Sequence, residues 1–240
     1  MKRATHPWLK LAVIVSVALI ALVGWLSFWV FGTQDISLTA FITQITQAGS
    51  PSFWQWSRVL GIIGYSVLWL SVMTGLSISS QSSQFWFERG TALSWHQFFT
   101  WLGLLVSLLH AGTLLNDSYL APSLLEIAVP FMLERSDLPM LSWLWIALGQ
   151  VAWYAMLLIA VGSLFKQKIA KTAWRYLHAF ALAAYVSTVA HGLFVGTDNS
   201  QLWLQGWYLV SNLLLMTVVL FRILQLKLPQ AKPQKIAKTV

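Results

Sequence analysis

The chain has 240 residues, of which 58% are hydrophobic and 9% charged, with 15 Trp, no Cys and a formal net charge of +8. A soluble domain typically carries about 25% charged residues, so a soluble globular class is excluded. The lack of Cys removes disulfides, thiolate metal sites, iron–sulfur clusters and covalently attached c-type haem.

A bilayer core about 30 Å thick needs roughly 20 apolar residues per helix. Six runs reach that length, near 9–31, 57–79, 93–115, 141–165, 173–195 and 203–225. Backbone polar groups must be paired in lipid, and the runs lack period-2 alternation, so they are predicted to be helices. The expected fold is an all-α integral membrane protein, a six-helix transmembrane bundle forming one domain over 1–240. The first run follows a basic segment, "MKRATHPWLK", but it has no clean small-x-small cleavage site and is expected to be an uncleaved span. His6 lies in that segment and receives no role.

Thirteen of the 15 Lys and Arg residues fall on one side of the spans: the N-terminus, the 80–92 loop, the 166–175 loop and the C-terminus. Only Arg58 and Arg135 fall on the other. Positive residues favour the cytoplasmic side, which predicts both termini cytoplasmic in a multi-pass protein of the bacterial plasma membrane. The charge is thus a topology signal with a contact to anionic lipid, and no nucleic acid is expected as a partner. The connection 116–140 is the longest between spans, and "LAPSLLEIAVPF" within it is expected to form a short amphipathic piece over the outer face. A short basic tail closes the chain over 226–240. No Gly-rich dinucleotide fingerprint occurs, so a flavin or quinone that takes part would come from a partner.

Four of the five His lie in two spans: His96 and His110 fourteen residues apart in the third, His178 and His191 thirteen apart in the fifth. Both spans run from inside to outside. His96 and His178 therefore share an inner depth, and His110 and His191 share a level about 20 Å further on, at about 1.5 Å per residue. Two levels, each with one imidazole from each helix, are what two bis-histidine haems require. Fourteen residues return His110 to within roughly 40° of His96 on one helix face, whereas thirteen leave His178 and His191 roughly 140° apart. A helix crossing, a π-type bulge or rotated haem planes would reconcile the second pair. Bare-metal ligation is the competing chemistry, but it would leave two separate two-coordinate sites without a carboxylate.

The spacings His-x13-His and His-x12-His resemble those of the ferric reductase-like transmembrane domain. That family includes ferric reductases, NADPH oxidases and the haem-binding membrane subunit of the periplasmic methionine sulfoxide reductase system. "SRVLGIIGYSVLWLSVMTGL", "WRYLH" and "HGLFVGTDN" support the likeness, which covers about 55–225. It implies two haem b groups, with His96 and His178 as axial ligands of the inner iron and His110 and His191 of the outer. An Arg at the place of Arg58 contacts the outer haem in the resembling oxidases. The flavin and NADPH domain of those enzymes has no counterpart here.

Gly103 stands midway between His96 and His110, where a missing side chain would let macrocycles approach or simply allow close helix packing; Gly61 and Gly64 could serve likewise. Arg89 and Arg175 near the inner level could meet propionates, although the positive-inside bias already accounts for them. The expected function is single-electron transfer across the membrane, from a separate flavoprotein or quinol to an outer acceptor. The alternatives are a non-enzymatic haem-bearing anchor subunit of a partner complex and a haem-free metal or proton transporter.

Overall fold

The computed structural model describes residues 53–79, 88–117, 120–133 and 141–227. The first predicted span (9–31), His6, Arg135 and the tail from 228 onward lie outside the described residues. Among the described residues the structure is all helical: α1 Phe53–Ser79, α2 Arg89–Leu114, a short α3 Leu124–Ala128, α4 Ser142–Leu164, α5 Lys171–Val195 and α6 Leu202–Lys227. Five of these, all but α3, are long and apolar enough to cross a membrane, as in a multi-pass membrane protein. Each coincides with a predicted span to within a few residues.

Hydroxyl side chains inside these helices are satisfied by the preceding turn, which keeps them tolerable in an apolar medium. Ser66 donates to the Ile62 carbonyl at 2.8 Å, Thr74 to that of Leu70 at 2.8 Å, and Thr188 to that of Ala184 at 3.1 Å. Large apolar residues instead face outward, including Phe98, Leu105 and Leu108 on α2 and Phe180 and Val186 on α5. In water such a surface would be an aggregation hazard; against lipid tails it is the solvated face.

The helices pack as two antiparallel hairpins, α1 on α2 and α4 on α5, with α6 closing against α1. Small residues set the α1–α2 approach. A Cβ at Gly64 would come within 3.2 Å of the Ser107 hydroxyl, and one at Gly103 within 2.7 Å of the Leu68 side chain. In contrast, α2 and α5 are not among the helix pairs that share extensive backbone contact.

The core combines Leu68, Leu104, Ala152, Met156, Leu204 and Leu215 with three tyrosines, Tyr65, Tyr185 and Tyr208. Buried hydroxyls need partners, and these find one another across three helices. Tyr65 Oη lies 2.5 Å from Ser211 Oγ and 3.2 Å from Tyr185 Oη. Asn212 Nδ2 donates to Tyr65 Oη at 3.1 Å, and Tyr185 donates to Asn212 Oδ1 at 3.2 Å. Trp69 Nε1 reaches the Ser211 carbonyl at 2.8 Å.

The predicted amphipathic piece is α3. Ser123 and Glu126 form a capping box at its start, the reciprocal arrangement that satisfies the first helical N–H groups. Its carbonyls are bound from α4: Gln150 Nε2 donates to Glu126 and Ile127 at 2.7 and 2.8 Å, and Tyr154 donates to Ala128 at 2.5 Å.

Candidate functional site: two facing histidine pairs

The four histidines meet in pairs across the gap between α2 and α5. The ring centroids of His96 and His178 are 6.0 Å apart with planes at 82°, and those of His110 and His191 are 6.2 Å apart at 79°. The expected pairing by depth is therefore what the fold brings together. α5 is α-helical throughout, so no π-type bulge is needed to bring both its histidines to α2.

Three of the rings have a fixed orientation. His96 Nδ1 lies 2.8 Å from the Ser71 carbonyl, His110 Nδ1 2.7 Å from that of Ser57, and His191 Nδ1 3.0 Å from that of Trp145. A carbonyl can only accept, so Nδ1 carries the proton in each, and Nε2 is left with a lone pair. An imidazole that donates its second N–H to a carbonyl is the usual state of a metal-bound histidine. The buried serines reinforce this: Ser57 Oγ is 3.0 Å from His110 Nδ1, and Ser71 Oγ is 3.3 Å from His96 Nδ1 and 2.7 Å from Thr100 Oγ1.

Glycines one turn beyond those carbonyls make room for the rings. A Cβ at Gly61 would stand 3.2 Å from His110, at Gly75 3.0 Å from His96, and at Gly149 2.7 Å from His191. The elements repeat in register: Ser57 and Gly61 are followed fourteen residues later by Ser71 and Gly75, the same spacing as His96 to His110. Two rows at equal spacing on antiparallel helices stay aligned, so α1 presents the same carbonyl-and-glycine cradle twice. Neither Gly75 nor Gly149 is identified by reading histidine positions alone. The fourteen-residue Ser-x3-Gly repetition is the signal that could have found the α1 half.

Arg58 is held by Asp198 in the turn after α5, through a bidentate ion pair in which Nε donates to Oδ2 at 2.7 Å and Nη2 to Oδ1. Gly103 is buried against Leu68 of α1, so close helix packing accounts for its missing side chain. Gly64 packs on Ser107, and of the three candidate glycines only Gly61 meets an imidazole. Arg89 opens α2 and Arg175 lies one turn before His178, both exposed. In the turn carrying "GTDN", Asn199 Nδ2 donates to the Gly192 carbonyl at 3.0 Å and to that of Leu193.

Among the described residues no group of three or more His, Cys, Asp or Glu side chains could hold a bare metal ion. A haem makes a smaller demand, because the porphyrin supplies four nitrogens and the protein only two. The spacing suits that demand. Metal–imidazole bonds of about 2.0–2.1 Å, added to a ring radius of about 1.1 Å on each side, separate two axial rings by about 6.3 Å between centroids. Compared with protein-family models, curated proteins and solved structures, the chain matches none.

Proposed function

We propose that this protein carries single electrons across a membrane through two b-type haems, each held by one imidazole of α2 and one of α5. The observation that carries the reading is the pair of cross-gap distances, 6.0 and 6.2 Å, together with protonated Nδ1 edges that leave Nε2 as the donor atom. Haem supplies a one-electron couple at each level. His96 and His178 hold the level near the basic face, and His110 and His191 the other. The carbonyls of Ser71, Ser57 and Trp145 fix the tautomer and make the three anchored imidazoles stronger donors.

The proposed assembly is a six-helix bundle with both termini cytoplasmic, related to the ferric reductase-like transmembrane domain. Electrons enter from a separate flavoprotein or quinol. With the inside negative, an electron moving outward gains about 2.3 kcal/mol per 100 mV, so the level of His110 and His191 delivers to the outer acceptor. A reduced-minus-oxidised spectrum of purified protein, with haem quantified by pyridine haemochrome, tests the reading. Two low-spin b haems per chain are expected; one or none from fully loaded protein overturns it. A colourless preparation from haem-sufficient cells would favour the transporter, and haems that no membrane donor reduces would favour the anchor subunit.

A further inference from the structure

The four histidines are not equivalent. His96, His110 and His191 each sit in a cradle made of a backbone carbonyl and a glycine four residues later. The sequence carries a fourth glycine in the right place. Gly149 and Gly162 are thirteen residues apart on α4, as are His178 and His191 on antiparallel α5. Gly162 therefore stands to His178 as Gly149 stands to His191.

The space at Gly162 is filled by other residues. A Cβ there would meet Trp174 at 3.5 Å and Leu177 at 3.6 Å. Trp174 lies one turn before His178, its ring centroid 5.2 Å from the imidazole and tilted 32° to it. His178 itself is exposed, and among the described residues its Nδ1 has no carbonyl or hydroxyl partner. Removing the outer hydrogen-bond partner of a metal-bound side chain typically weakens metal affinity about 10–100-fold. The deficit falls on one ligand of one pair.

We infer that His178 is the exchangeable ligand of its pair, so that the His96–His178 level accepts a small neutral ligand such as carbon monoxide on its His178 side while the His110–His191 level does not. The inference rests on the two-haem reading, and it adds a ligand that can be displaced, which this reading alone does not contain.

Carbon monoxide added to the dithionite-reduced full chain in detergent is the test, with haem per chain measured on the same sample. Carbon monoxide should bind about half of the haem. In His178→Ala protein the bound fraction should stay near half, or vanish together with one haem. With two haems present, no binding or binding to all of the haem in the parent protein overturns the inference alone. It is equally overturned if His178→Ala raises the fraction to all of the haem, or if binding persists after that variant has lost one haem. A parent protein without haem overturns this inference and the proposed function together.

Discussion

Gly149→Ala puts the cradle geometry under a measurable load. The added methyl would stand 2.7 Å from His191 Nδ1 and 2.8 Å from Cγ. Non-bonded atoms settle at about 3.5–4.0 Å, so the imidazole must retreat by about 0.8 Å. Its anchor to the Trp145 carbonyl is already 3.0 Å long, and a retreat of that size takes it past the range of a hydrogen bond. Overpacking of this kind costs about 1–3 kcal/mol and the lost anchor about 1 kcal/mol. The helix-propensity gain of Ala over Gly returns about 1 kcal/mol. The net effect is destabilisation by about 1–3 kcal/mol, with affinity for haem at that level down about 10–100-fold. Gly61→Ala is the control. Its Cβ would lie 3.2 Å from His110, which needs a retreat of only about 0.3 Å. The 2.7 Å bond to the Ser57 carbonyl survives that movement. The assay is haem per chain with low-temperature EPR of the oxidised protein: Gly149→Ala should lose or shift the signal of one haem and Gly61→Ala neither. Parent-like haem content and spectrum in Gly149→Ala protein would refute the reasoning.

Tyr65→Phe should destabilise the fold by about 1–3 kcal/mol, because it removes the hydroxyl shared by Ser211, Asn212 and Tyr185; an unchanged unfolding temperature in detergent would count against the network. Arg58→Met should destabilise the fold, since it takes the ion-pair partner from an Asp198 carboxylate that is only 7% exposed; a double-mutant cycle with Asp198→Leu, read by thermal unfolding, should show coupling between the two sites, and strict additivity would deny it. Reporter fusions placed within 80–87 and within 120–133 should report opposite compartments, the former cytoplasmic, and matching compartments would overturn the topology.

The spans were legible because hydropathy over twenty residues is a property of sequence alone, and α1, α2, α4, α5 and α6 follow it closely. The pairing of histidines by depth was legible for the same reason, since rise per residue converts spacing into height. Rotation was less so. An ideal straight helix puts His178 and His191 roughly 140° apart, yet both rings approach α2, because the approach depends on how α5 crosses its neighbours. The cradles were hidden for a related reason. Knowing that Gly75 faces His96, or that Gly149 faces His191, requires knowing which helix packs on which. The same holds for Arg58: its unusual place on the sparsely charged face was visible, but Asp198 as its counter-ion lies 140 residues away in sequence and emerges only with the fold.

The two hairpins are built from neighbours in sequence, whereas the contacts of α6 join the two ends of the described chain. Tyr65 to Ser211 spans 146 residues, and Trp69 to the Ser211 carbonyl spans 142. On α6 the inward residues Leu204, Tyr208, Ser211 and Leu215 follow a helical stripe, so this helix has a defined face to dock. During synthesis each hairpin can form as soon as its second helix leaves the ribosome, but two partners of the Tyr65 hydroxyl, Ser211 and Asn212, arrive only with α6. Until then the Tyr65 hydroxyl has only Tyr185 of α5 to bond. Docking of α6 is thus the event that completes this network, and a chain truncated before residue 202 would leave the Tyr65 hydroxyl without its Ser211 and Asn212 partners.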